Sequence, residues 1–111
     1  WGDGTPTRDF VHVRDAARAF VLAAEKYDKS EPVNIGGGFE ISIKDLASKL
    51  LSLMNMKLEI KWNTSFPNGQ PHRSLDISKA FHEFGFKPQI QFNEGLKEVI
   101  NSVLKNQNSP Y

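Results

Sequence analysis

The 111 residues carry 14 Lys and Arg against 13 Asp and Glu, a formal charge of +1 with both signs scattered, so no basic stripe offers the footprint that nucleic-acid phosphates require. Cysteine is absent, which excludes disulfides, thiolate metal sites and cysteine nucleophiles and fits a reducing compartment. The length suits one domain with a modest core; no apolar run approaches the roughly 20 residues that cross a bilayer, no start resembles a signal peptide, and a cytoplasmic setting is the default. The chain opens at Trp1, directly in a Gly/Thr/Pro cluster, and reads as part of a longer protein.

In chain order, Phe10 to Val13 is a short β-rich run. From Asp15 to about Lys26, Ala16, Ala19, Phe20, Ala23 and Tyr27 recur at helical spacing, with Asp15 placed as the cap. Val33 to Ile35 predicts a strand that stops at Gly36, Gly37 and Gly38, and Phe39 to Ile41 predicts another. Ser42 and Asp45 make an approximate capping box for a helix with Ile43, Leu46, Ala47, Leu50, Leu53 and Met54 on one broad face. Leu58 to Trp62 predicts a strand and Asn63 to Pro71 a long loop. A short helix over Ser78 to Phe84, capped by Asp76 or Ser78, closes at Gly85. The last helix, Asn93 to about Lys105, is expected to bury Leu96, Val99, Ile100, Val103 and Leu104. These elements predict an α/β class, a small α+β domain of short strands with three to four helices. Residues 1–107 form one region and 108–111 a frayed tail. The helix faces hold more Ala and Leu than so few strands can cover, so part of that surface is expected to pack on something outside the chain or to drive self-association.

The opening segment carries the strongest motif. Gly2 and Gly4 allow tight turns, and Arg8 offers a planar, permanently charged fork suited to a diphosphate or to a neighbouring carboxylate such as Asp9 or Asp15. Gly2-x-Gly4-x-x-x-Arg8-Asp9-Phe10-x-x-Val13-x-Asp15-Ala16-Ala17 resembles, without a gap, the stretch of extended short-chain dehydrogenases of the NAD-dependent epimerase/dehydratase family that runs from a substrate loop into a strand and helix. The Val33-Asn34-Ile35-Gly36-Gly37-Gly38 run is similar to an element of the same family in which the glycines make a turn. It departs from a dinucleotide fingerprint, since Ile41 stands where the third glycine belongs and the helix begins too late. Asn34 is left as a minor candidate for a substrate contact.

Pro67-Asn68-Gly69-Gln70-Pro71-His72-Arg73 resembles a segment of the GDP-L-fucose synthase branch, with Asn68 in place of Asp and His72 in place of the first basic residue. The resemblance implies that Trp1, Arg8, Asn68 and Arg73 contact a nucleotide sugar, GDP-linked in preference; a solvated turn with Asn68-Gly69 at its corner stays open beside it. The family also implies NAD or NADP, bound at a Gly-x-x-Gly-x-x-Gly turn, and a Tyr-x-x-x-Lys pair. Neither is in this sequence, where Tyr27 is followed by Glu31 and Tyr111 is last. Those parts are expected upstream in the parent protein, a missing Rossmann domain, and no catalytic or cofactor-binding residue is expected here. His12, His72 and His82 have no metal-ligand spacing. The expected role is the nucleotide-sugar-binding part of an epimerase/reductase or dehydratase, inactive alone. The alternatives are a UDP- or dTDP-sugar enzyme and a non-catalytic binding module.

Overall fold

A computed structural model describes residues 1–107; the tail expected to fray, 108–111, lies outside the described residues. The elements run β1 (Thr7–Asp9), α1 (Val13–Lys26), β2 (Glu40–Ser42), α2 (Ile43–Leu53), α3 (Ser78–Phe84) and α4 (Phe92–Gln107). This is the small α/β arrangement expected. β1 and β2 pair antiparallel, with Thr7 opposite Ser42, Arg8 opposite Ile41 and Asp9 opposite Glu40. Residues 71–73 run along the free edge of β1: Thr7 N donates to Pro71 O at 2.9 Å and Asp9 N to Arg73 O at 3.1 Å.

The strands differ from the sequence expectation. β1 lies at Thr7–Asp9, because its partners are 71–73 and β2, while the apolar run Phe10 to Val13 only leads into α1. The second pair member shifts from 39–41 to Glu40–Ser42. Residues 33–35 and 58–62 are not strands, having no ladder partner among the described residues, although Val33 and Ile35 still pack on the core.

Helix α1 starts at Val13, capped by His12, whose Nδ1 accepts from Arg14 N at 3.3 Å. Asp15, expected as the cap, is instead the third helical residue, 2% exposed, and turned away from its own helix end. For α2 the cap half of the box forms, Asp45 N donating to Ser42 Oγ at 3.0 Å, while Asp45 Oδ2 accepts the Ser42 hydroxyl at 2.7 Å where a full box would take the Ser42 backbone N–H. The cap position of α3 is Ile77, in place of the expected Asp76 or Ser78, because Ser78 is already the first helical residue; Asp76 Oδ1, one position before the cap, takes the N–H of Ser78 at 2.9 Å. Gly85 then ends α3 at φ 73°, a left-handed conformation that a Cβ would disfavour. Gly85 N and Phe86 N donate to Phe81 O and Ala80 O, which folds Phe86 back beneath the helix.

The core sits between α1 and α3. Ala19 and Ala80 are fully buried, and two residues without long side chains let the helices approach closely around Phe84 and Phe86. Tyr27 meets Phe84 edge-on at 5.7 Å and donates its hydroxyl proton to Glu31 O at 3.0 Å. Elsewhere burial falls short of the helical pattern. Phe20 is 73% exposed, and on α4 Val99 and Val103 are each 51% and Leu104 45% exposed. Their faces have the right period but the elements of the described residues cover them only in part, Val99 for example facing α2 across an open space. A cavity of about 440 Å³ remains between the start of α1, α2 and α4, lined among others by Phe10, Phe39, Leu46, Leu50 and Phe92.

Candidate functional site

The turn at the start of the chain and the long loop 63–73 fold onto each other. Gly2 has φ 71° and Gly4 φ 78°, so both occupy the left-handed region. Each also lies under a side chain: a Cβ at Gly2 would collide with the Asn68 amide, and one at Gly4 would enter the Trp62 ring. The Gly-x-Gly spacing is thus a requirement of close approach as well as of turning. Two rungs tie the segments together, Gly2 N to Asn63 O at 2.8 Å and Asp3 N to Asn68 Oδ1 at 2.8 Å.

Asp3 shapes the turn from within, accepting from Thr5 N at 2.9 Å and from Thr5 Oγ1 at 2.7 Å. Hydrogen bonds from the Thr5 backbone, the Thr5 hydroxyl and the Asn68 side chain hold its carboxyl below the usual carboxylate range. Asn63 does similar work on the facing loop: its Oδ1 accepts from Ser65 N at 3.2 Å and Ser65 Oγ at 2.5 Å, a side-chain-closed turn. Between these anchors Trp1 stacks on Phe66, ring centroids 4.5 Å apart and planes within 12°.

Arg8 bonds neither of the carboxylates offered to it. Its Nη1 donates to Thr7 O at 2.6 Å and to Gln70 O at 2.9 Å, which pins the loop two residues after Asn68 and leaves Nη2 and Nε without a partner among the described residues. Asp9 turns to the glycine run, accepting from Gly37 N at 2.5 Å and Gly38 N at 3.2 Å. Asp15 accepts from Arg18, Gln89 and Ile90. Arg73 gives its carbonyl to β1, and its exposed side chain makes no hydrogen bond or ion pair among the described residues. Trp1, Asn68 and, through Gln70, Arg8 are therefore brought together, with Arg73 beside them on the edge of β1.

The residue between, His72, is held by Thr7 Oγ1 at 3.0 Å and Glu40 Oε2 at 3.3 Å, both on Nδ1, and the Thr7 hydroxyl also bonds Glu40. Hydrogen bonds from Thr7 and Ser74 foremost, with the smaller help of His72, hold the Glu40 carboxyl below its usual range. Asn34, the minor candidate, gives its amide to Asp76 O at 3.5 Å, and His12 lies against Gly95 of α4 near Glu98.

Sequence reasoning missed Phe66, Trp62 and Glu40. The signal for Trp62 was present in Gly4, since a glycine at a fixed turn position announces a close neighbour; nothing in the order of residues announces Phe66 or Glu40. The candidate site offers flat aromatic faces, a guanidinium whose Nη2 and Nε have no partner among the described residues, a side-chain amide and a second arginine. The glycine run at 36–38 does not fit a dinucleotide, because the Asp9 carboxylate already occupies the amides of Gly37 and Gly38 that a pyrophosphate would need. No described helix is long and apolar enough to cross a membrane.

Residues 1–36 match the family model described as the NAD dependent epimerase/dehydratase family. Over 106 residues the chain is 37% identical to a probable GDP-L-fucose synthase 1 of Oryza sativa subsp. japonica, which covers 96% of this chain and 32% of that protein. The fold is similar to that of a UDP-glucose 4-epimerase from Thermotoga maritima solved with UDP-glucose, at a TM-score of 0.89 and 31% identity over 96% of this chain and 34% of that one. It is also similar to a dTDP-glucose 4,6-dehydratase from Bacillus anthracis solved with NAD, at a TM-score of 0.88 and 27% identity over 97% of this chain and 34% of that one. The chain spans about a third of the length of the curated relatives it matches.

Proposed function

We propose that this chain, which is similar to the NAD-dependent epimerase/dehydratase family over residues 1–36 and to a GDP-L-fucose synthase over 96% of its length, is the nucleotide-sugar-binding region of an NAD- or NADP-dependent epimerase/reductase whose substrate is a GDP-linked sugar. Arg8 meets the diphosphate through Nη2 and Nε, Arg73 adds a second cation, Trp1 offers a ring face, and Asn68 contributes its amide. The observation that supports the reading is that the two segments bearing these residues, 1–9 and 68–73, are tied together by Asp3 N to Asn68 Oδ1, Arg8 Nη1 to Gln70 O and Asp9 N to Arg73 O, although they are far apart in sequence. The guanine preference is supported by the likeness to the rice GDP-L-fucose synthase across 96% of the chain.

The cofactor and the proton-transfer groups belong in this proposal to the remainder of a longer protein, and the chain alone has no turnover. Its part in the reaction is to hold the nucleotide while the hexose reaches the nicotinamide, so that orientation is its contribution. A second reading, a UDP- or dTDP-sugar enzyme, is supported by the likeness to the Thermotoga epimerase and the Bacillus dehydratase.

Calorimetric titration of the folded chain with GDP-mannose, UDP-glucose and dTDP-glucose, beside an Arg8→Ala variant, tests the assignment. Tightest binding of the guanine ligand, weakened at least tenfold in the variant, is expected. Preference for UDP-glucose would overturn the guanine assignment, and binding indifferent to Arg8 would overturn its role.

A further inference from the structure

Trp1 and Phe66 are stacked, and both are exposed, Trp1 to 82% and Phe66 to 42%. An exposed aromatic pair normally samples many rotamers, since little surface is buried in return for the lost freedom. Here the backbone beneath the pair is fixed on both sides. Gly2, next to Trp1, donates to Asn63 O, and Asp3 donates to the Asn68 side chain, so the rungs bracket Phe66 at positions 63 and 68. The Asn63–Ser65 turn stiffens the approach to Phe66. Phe66 covers one face of the indole, and the other face is open.

From this we infer that Phe66 is a positioning residue: it holds the Trp1 indole as a fixed platform on whose open face the flat base or the apolar face of the sugar ring of a nucleotide sugar stacks. The inference rests on the nucleotide-sugar reading and deepens it by naming a residue that acts through Trp1 and touches no ligand itself. A flat π-face accepts any ring of matching size, so the platform contributes affinity and orientation and leaves base selection to polar groups. Base and sugar share this stacking chemistry, and the choice of ligand separates them.

The test uses a Trp62→Phe background, in which Trp1 is the one remaining tryptophan of the two in the sequence. Phenylalanine keeps a ring against Gly4, and circular dichroism checks the fold. Trp1 emission is followed during titration with GDP-mannose, GDP, UDP-glucose and UDP. Quenching by the ligand is expected, together with about 3- to 10-fold weaker binding and lower Trp1 anisotropy in Phe66→Ala, and recovery of both in Phe66→Tyr. Quenching by the bare diphosphates as strongly as by the sugars places the base on the platform; quenching by the sugars alone places the hexose there.

Ligand binding without any change in Trp1 emission, or Phe66→Ala binding as tightly as the parent, overturns the inference and leaves the nucleotide-sugar reading standing. Failure of the parent to bind any of the four ligands removes that reading and the inference with it.

Discussion

Asp15 accepts the backbone N–H of Ile90 at 2.9 Å, so a carboxylate on α1 fastens the strap that leads into α4. The same carboxylate takes Gln89 N at 3.0 Å and Arg18 Nη2 at 2.8 Å, while Arg18 also donates to Lys87 O and lies 5.6 Å from the Phe86 ring centroid. Burial alone would raise this carboxyl; the hydrogen bonds from Arg18, Ile90 and Gln89 outweigh it and hold it below the usual range.

Asp15→Ala is expected to lower the stability of the chain by about 2–4 kcal/mol, because two half-buried amides and a guanidinium lose their acceptor together. A fall in the urea midpoint at constant slope is the measurement. Since the native carboxyl titrates below its unfolded value, its contribution is complete above about pH 3.9 and is lost as pH falls through the native value. The gap between parent and Asp15→Asn should therefore close in that acid range and stay constant from pH 5 to 7. A gap that widens on acidification would contradict the assignment.

The bonds from Gly37 and Gly38 to Asp9 predict a second pair of variants. Gly37→Ala forces a Cβ into the Phe10 carbonyl, and backbone on both sides leaves no cheap relief, so a loss of about 1–3 kcal/mol or more is expected. Asp9→Ala leaves the Gly37 amide without its acceptor, for about 1–2 kcal/mol, and should speed hydrogen exchange at Gly37 more than at the core of α1. Unchanged exchange at Gly37 would show that the turn stands without the carboxylate.

Much of this was legible in the sequence because it is local. The Ser42–Asp45 cap, the Gly85 stop and the span of α3 follow from residues within one helical turn of each other. The larger failures are non-local. Asp15 looks like a cap until Gln89 and Ile90, 74 and 75 positions away, supply stronger donors. Residues 7–9 became the strand in place of 10–13 because 71–73 and β2 chose that register. Of the site, Trp1, Arg8, Asn68 and Arg73 were named from motif likeness; their mutual placement and the Phe66 support depend on a loop closure that residue order does not encode.

The latch at Glu40 joins β2 to that loop and gives a prediction confined to acid. Its depressed carboxyl marks a contact whose contribution is complete above the unfolded value of about pH 4.3 and is lost as pH falls through the lower native value. Glu40→Gln at neutral pH should imitate the acid form, with exchange of the Thr7 amide, which is bonded to Pro71 O, rising about 2- to 5-fold. The α1 amides serve as the internal reference. Equal acceleration in both places would mean global loosening, and no acceleration would mean that the two backbone rungs hold residues 71–73 without the side chains.

The outer face of α1 sets the last prediction. Val13, Phe20 and Val21 stand at i, i+7 and i+8 and are 73%, 73% and 57% exposed, while Ala19 on the opposite side is fully buried against α3. A helix with apolar residues on both faces is stable in water only when something covers the second face. In this chain the nearest available cover at high concentration is another copy. Sedimentation of the parent should accordingly depend on concentration, and Phe20→Glu should shift it toward monomer. The same substitution should change unfolding free energy by no more than about 0.5 kcal/mol, since the Phe20 ring contributes little to the fold. Should the parent stay monomeric at all concentrations, the exposed stripe alone is too small to drive association; should Phe20→Glu unfold the chain, the ring is part of the core after all.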